Sequence, residues 1–245
     1  MTDAELAAKL AEDAGALLLE LRNSSDLTGK NLGDAGDHKA NTMLIAALRE
    51  HRPDDGILSE ESQETNARLS KNRVWIIDPV DGTREYSEGR SDWAVHVALA
   101  IDGKAAIGAV ALPSLNMTLR SDVTTASPTR SDKLRMVVSR SRPAKEAVAV
   151  AEILDAELIP MGSAGAKAMA VVRGEADIYL HSGGQYEWDN CAPVAVAQAY
   201  GLHCSRIDGE PLTYNQSDTY LPDLLICHKE DASHILDLVN GINDQ

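Results

Sequence analysis

The sequence predicts a layered fold, with an α+β first half and an α/β second half. Three observations carry that prediction. Two amphipathic helical patterns open the chain, and strand-like apolar runs around a hairpin turn follow them. After a Ser/Thr-rich stretch, Ser121 to Ser131, short apolar runs alternate with helical periodicity. The 245 residues, 44% hydrophobic and 25% charged, are enough to bury a sizeable core as one large domain or two small ones. The change of pattern places a division near residue 130: helices plus antiparallel sheet over 1–130, and an α/β unit over 131–245.

Thr2 with Glu5 forms a capping box, and Leu6, Leu10, Leu17, Leu18 and Leu21 line the apolar side of the helix it opens. Asn23-Ser24-Ser25 ends that helix. The Gly/Asp-rich stretch from Gly29 to Asp37 reads as the approach to a second helix, which carries Met43, Leu44, Ala47 and Leu48. Arg49, His51 and Arg52 suit the negative C-terminal end of that helix, and Pro53 stops it. Val74–Ile77 is a short apolar run ending at Asp78-Pro79. Trp93–Ile101 and Ala105–Leu112 flank Asp102-Gly103, a hairpin signal, and Met117–Arg120 returns as a further strand. In the second half Leu134–Val138, Glu157–Pro160, Ala176–Leu180 and Leu224–Cys227 read as strands. Helices are expected from Ser141-Arg142-Pro143 through Leu154, over Ala164–Val172, from Cys191 to Tyr200, and from Asp231 onward.

The net charge of −15 disfavours broad nucleic-acid binding, which needs a basic face, and docking on an anionic bilayer. The acidic start lacks the basic, then unbroken apolar, character of a secretion signal, and no run of about 18 apolar residues predicts a membrane span. Cys191, Cys204 and Cys227 are odd in number and widely spaced, which argues against a disulfide framework or a zinc site and for a reducing, cytoplasmic home.

Two acidic clusters stand beside apolar runs: Ser59-Glu60-Glu61-Ser62 after Ile57-Leu58, and Asp78-Pro79-Val80-Asp81-Gly82-Thr83 after Val74–Ile77. Carboxylates at the end of a buried strand are the hard oxygen donors that Mg²⁺ prefers. With Pro79 fixing a turn, Asp78 and Asp81 can face one point, the Val80 carbonyl is free to ligate, and Gly82 lets a ligand approach the backbone. The competing use of Asp-Pro and Asp-Gly is an ordinary capped turn.

The run Trp75-Ile76-Ile77-Asp78-Pro79-Val80-Asp81-Gly82-Thr83 closely resembles the signature of the inositol monophosphatase superfamily. Ser59-Glu60-Glu61, Gly162-Ser163-Ala164-Gly165-Ala166-Lys167 and Glu187-Trp188-Asp189 are similar to three further motifs of that superfamily, in the right order. The resemblance implies a layered α/β/α/β/α sandwich and Mg²⁺-dependent phosphomonoester hydrolysis without a phosphoenzyme. It assigns one Mg²⁺ to Glu60, Asp78 and the Val80 carbonyl, and a second to Asp78, Asp81 and Asp189. Phosphate would rest on the N–H groups of Gly82 and Thr83. Inhibition by Li⁺ and, in many members, a homodimer come with it.

One departure stands out. Where most members carry an Asp that orients the attacking water together with the motif Thr, here Thr83, this sequence has Asn41. Asp37, four residues earlier on the same helical face, is expected to act on that water or on a third Mg²⁺; its competing use is a helix N-cap.

Val137-Val138-Ser139-Arg140-Ser141-Arg142 and the run from Tyr179 to Asp189 resemble the actinobacterial branch of the CysQ-type 3′(2′),5′-bisphosphate nucleotidases. The implied substrate is a small phosphorylated nucleotide: adenosine 3′,5′-bisphosphate, the by-product of sulfate assimilation, which would be converted to AMP and phosphate, or its sulfated analogue. Ser139, Arg140, Ser163 and Lys167 are candidates for its second phosphate, with His181 beside them and Glu187 as a sugar-hydroxyl acceptor. Tyr86, Tyr186 and Trp93 are candidates to stack on adenine, against the competing use of each as core filling. Inositol-1-phosphate or fructose-1,6-bisphosphate hydrolysis is the sibling alternative, and a catalytically silent nucleotide sensor a third.

Overall fold

Helix α1 (Asp3–Ser24) begins on the expected capping box: the Glu5 N–H donates to the Thr2 hydroxyl at 3.1 Å, and the Thr2 N–H to the Glu5 carboxylate at 2.8 Å. The computed structural model describes residues 1–62, 66–123 and 126–243. Helix α2 (Gly29–His51) takes in the whole Gly/Asp-rich stretch that was expected to precede it. Its glycines lower intrinsic helix propensity, but they allow close packing that outweighs the loss. A Cβ on Gly33 would lie 2.8 Å from Thr83 Cγ2, and one on Gly36 would lie 2.9 Å from the Tyr86 ring. Thr28 is the N-cap, so Asp37 sits well inside the helix and the N-cap alternative for it falls.

The first sheet runs β1 (Gly56–Ser59), β2 (Arg73–Asp81), β3 (Ala94–Ile101), β4 (Lys104–Leu112), β5 (Met117–Arg120). It is mixed rather than purely antiparallel, because β1 lies parallel to β2. The short helix α3 (Thr83–Ser87) follows β2 directly. Asp102 and Gly103 both take positive φ, as the β3–β4 hairpin requires. The second sheet, in the order β7-β6-β8-β10-β9, contains β6 (Arg135–Ser139), β7 (Glu157–Met161), β8 (Ile178–Tyr186), β9 (His203–Ser205) and β10 (Tyr220–Cys227). Between these strands lie α4 (Lys145–Leu154), α5 (Ala164–Val172) and α6 (Glu187–Ala199), and α7 (Ala232–Asn243) closes the described chain. Helix α4 starts later than expected, with Pro143 outside it. Helix α6 starts earlier, at the Glu187-Trp188-Asp189 motif.

Strand alternation sorts the apolar side chains into layers. Trp75 and Ile77 of β2 pack with Leu6, Leu18, Leu44 and Leu48 of α1 and α2. Val74 and Ile76, on the other face, join Met169, Val194 and Ile226 in a core shared by both sheets, α5 and α6. Beyond the second sheet, Met136 and Leu225 pack with Val150 and Ile235 of α4 and α7. The order is therefore α/β/α/β/α, as the family resemblance implied. No helix among the described residues is long and apolar enough to cross a membrane.

Candidate active site

The metal-type carboxylates converge where β2 ends. Pairing with β3 holds through Asp78–His96, then breaks before Asp81–Ala94. Asp78-Pro79-Val80-Asp81 is thus a bulge within the strand instead of the expected turn. Proline, which has no N–H to contribute to a ladder, suits such an interruption. Gly82, at φ +85°, then turns the chain into α3. A Cβ on Gly82 would lie 2.9 Å from Ser163 Cβ, so glycine also lets β2 and the start of α5 approach.

Oxygens of Asp78, Asp81 and Asp189 lie within 4.8 Å of one another. Asp189, in the first turn of α6, accepts the Tyr186 N–H at 2.6 Å. Asp81 accepts the Ser163 hydroxyl at 2.6 Å and the N–H groups of Ala164 at 3.0 Å and Gly165 at 2.5 Å, so it caps α5. Fully buried His96 has Nδ1 2.9 Å from the Trp188 carbonyl and Nε2 3.1 Å from Asp81 Oδ2. Nε2 approaches Asp81 off-line for a hydrogen bond, so the attraction there is chiefly ionic. Both ring nitrogens thus face acceptors, which favours the doubly protonated ring. A Cβ on Gly165 would fall 2.0 Å from His96 Nε2, so only glycine fits there.

Asn41 fastens the Glu60 turn: it accepts the Ser59 hydroxyl at 2.7 Å and donates to the Ser62 hydroxyl oxygen at 3.2 Å. Asp37 and Thr83 meet, with Thr83 Oγ1 3.3 Å from Asp37 Oδ1 and 3.0 Å from the Val80 carbonyl.

Electrostatics mark the same group of residues. Burial, then the charges of Glu60, Asp81 and Asp189, push Asp78 well above the usual carboxylate range. Loss of water around its carboxyl, then the charges of Asp189, Asp37 and Glu61, lift Glu60 to about 8. Burial and Glu61 raise Asp37 to about 7, against the Thr83 hydrogen bond. Burial and Asp81 raise Asp189 to about 6. Burial would raise Asp81 too, but the charge and contact of His96, with Ser163 and Gly165, hold it down at about 2. Carboxylates crowded until most resist ionisation, and offering oxygen donors only, fit a divalent cation of the Mg²⁺ kind.

The other candidates divide. Lys167 is buried and donates to the carbonyls of Gly162 and Ser163, its pKa pulled down by burial to about 8. Arg140 donates to Glu85 at 2.6 Å and Glu88 at 3.0 Å, which ties β6 to α3. Ser139 and His181 line a 530 Å³ cavity with Arg142, Lys145 and Ser182. Glu187 is fully buried and accepts the N–H groups of Asn215 and Gln216, which assigns it to holding that loop rather than to a ribose hydroxyl. Tyr86 and Trp93 are buried core, in edge-to-face contact at 4.9 Å. Tyr186 is 47% exposed and stacks on Trp188. Sequence reading missed His96, although it is the one polar residue within the apolar run Ala94–Ile101.

A five-layer α/β fold with an oxygen-donor carboxylate cluster at a strand end fits the class of metal-dependent hydrolases. The chain belongs to the inositol monophosphatase family, whose sequence profile matches residues 2–242. It is 48% identical over 257 aligned positions to the 3′-phosphoadenosine 5′-phosphate phosphatase of Mycobacterium leprae, covering 99% of this chain and 95% of that protein. It is 49% identical to the protein of the same name from Mycobacterium tuberculosis, covering 91% of this chain and 88% of that one. Among solved structures, CysQ from Bacteroides thetaiotaomicron superposes with a TM-score of 0.78 at 24% identity, covering 93% of this chain and 97% of that one.

Proposed function

We propose that this protein hydrolyses the 3′-phosphate of adenosine 3′,5′-bisphosphate, and of its sulfated analogue, in the cytoplasm. The observation that carries the reading is the Asp78–Asp81–Asp189 cluster with the Asp37–Thr83 pair beside it. The names of the mycobacterial relatives support the nucleotide assignment, and the cavity edged by Arg142 and Lys145 offers cationic room for a second phosphate.

Two Mg²⁺, held by Glu60, Asp78, the Val80 carbonyl, Asp81 and Asp189, would supply positive charge to the phosphoryl oxygens and make water more acidic. Asp37 orients the attacking water with Thr83 and takes its proton. The new oxygen–phosphorus bond forms as the bond to O3′ breaks; O3′ takes up a proton from solvent as it leaves, and Asp37 gives its own back to solvent, so no net proton is consumed. The N–H groups of Gly82 and Thr83 receive phosphate oxygens at the start of α3. Asn41, an amide, takes no proton and holds the Glu60 turn. The negative charge crowding Asp37 would also suit a third Mg²⁺ held by that carboxylate.

Phosphate release from adenosine 3′,5′-bisphosphate, inositol-1-phosphate and fructose-1,6-bisphosphate, at equal concentration with Mg²⁺, tests the substrate. Faster release from the nucleotide is expected. Equal or reversed rates overturn the nucleotide assignment, and tight nucleotide binding without release overturns the enzyme reading.

A further inference from the structure

Glu60 and Asp189 come from opposite halves of the chain, yet one dipeptide, Asn215-Gln216, is gripped from both sides. Arg68 lies in the 3₁₀ turn Asn66–Ser70 and is 2% exposed. It donates from Nη1 to Asn215 Oδ1 at 2.7 Å and from Nη2 to the Gln216 carbonyl at 2.8 Å. Asn215 Nδ2 donates back to the carbonyls of Arg68 at 3.2 Å and Lys71 at 3.3 Å. This turn packs on β1, the strand that leads into Glu60: a Cβ on Gly56 would lie 3.1 Å from Arg68 Cβ.

The second grip comes from α6. Glu187, its first residue and fully buried, accepts the Asn215 N–H on Oε2 and the Gln216 N–H on Oε1, both at 2.7 Å. The Glu187 N–H donates to the Thr219 carbonyl at 2.9 Å. Asp189 stands in the same first helical turn.

Burying an arginine and a glutamate to hold one dipeptide costs desolvation that neutral groups would avoid, so the arrangement serves placement better than it serves stability. We infer that Arg68 and Glu187 are positioning residues, and that their shared clamp on Asn215-Gln216 sets the Glu60 side of the metal centre against the Asp189 side. This rests on the metal-centre reading above. Groups that orient metal ligands from behind commonly change metal affinity by 10–100-fold.

Calorimetric titration of the full chain with Mg²⁺, without substrate and well below the unfolding temperature, tests the inference. Glu187→Gln keeps the side chain's size but turns an amide NH₂ toward one of the two N–H donors. Asn215→Gly removes only the side-chain bonds to Arg68 and Lys71, and glycine tolerates the native φ of +59°. Each variant is expected to bind Mg²⁺ about tenfold more weakly than wild type. Should Glu187→Gln not fold, Asn215→Gly decides alone. Variants that bind as wild type does overturn the inference. A wild-type chain that binds no Mg²⁺ overturns the metal-centre reading, and this inference with it.

Discussion

Replacing Asp37 by Asn removes the proposed proton acceptor while keeping a group of nearly the same shape beside Thr83. Asp37 is only 8% exposed, and its Oδ1 lies 3.3 Å from the Thr83 hydroxyl. Burial and the Glu61 charge raise its pKa to about 7, close to the value that suits a general base at neutral pH. A single group with that midpoint goes from about one-tenth to about nine-tenths ionised between pH 6 and 8. Bound Mg²⁺ favours the ionised form, so the active site's midpoint falls at or below about 7. Wild-type turnover at saturating substrate and Mg²⁺ is expected to rise along this limb by up to about tenfold. Asp37→Asn is expected to lose the limb and to slow turnover by roughly 10²–10⁴-fold. Phosphate release at stepped pH reads both. Full turnover in Asp37→Asn, with the wild-type pH profile, refutes the role given to this carboxylate.

The crowded carboxylates also link metal, protons and stability. Because the folded pKa values of Glu60, Asp37 and Asp189 lie above those of an unfolded chain, protons stabilise the metal-free fold below about pH 4, and that contribution is lost as pH rises toward 8. Mg²⁺ bound at the proposed site would replace those protons, so the rise in Tm on adding Mg²⁺ should be larger at pH 8 than at pH 6. Comparing with and without Mg²⁺ removes the opposing contribution of His181 and His203, which burial keeps below the usual histidine range. An equal or smaller rise at pH 8 contradicts the assignment. Tyr186, the one exposed member of the three stacking candidates, is expected on replacement by Ala to raise KM for adenosine 3′,5′-bisphosphate by about tenfold or more, from base stacking worth roughly 1–3 kcal/mol. KM for inositol-1-phosphate, which has no base, serves as the control, and parallel changes in both would rule out a stacking role.

Much of the site was legible because metal ligation packs its donors into short stretches. Glu60 directly follows β1, Asp78 and Asp81 flank a proline in β2, and Asp189 lies in the first turn of α6, so motifs of a few residues carried most of the carboxylates. The start of α2 was not legible. Gly29 to Asp37 looks like a loop by propensity, and its helical form shows only in packing that the sequence does not reveal, with Gly33 close against Thr83 and Gly36 against Tyr86 and Leu18. Glu187 failed for a related reason, since its partners are backbone N–H groups of a distant loop that leave no mark in the residue types. The arginine of the Ser139-Arg140-Ser141-Arg142 run was read for its charge, but nothing local showed that Glu85 and Glu88 already engage Arg140. His96 could have been found, because a histidine inside an otherwise apolar strand calls for a buried partner.

In the proposed mechanism Asp78, buried and shared between the two cation positions, makes this chain a metal-dependent phosphatase. Phosphate release from adenosine 3′,5′-bisphosphate, measured for wild type with Mg²⁺, with chelator, and for Asp78→Asn, tests it most directly. Wild type should release phosphate only when Mg²⁺ is present, and Asp78→Asn should lose about a hundredfold or more of that rate. Release that survives the chelator, or that persists undiminished in Asp78→Asn, contradicts the account.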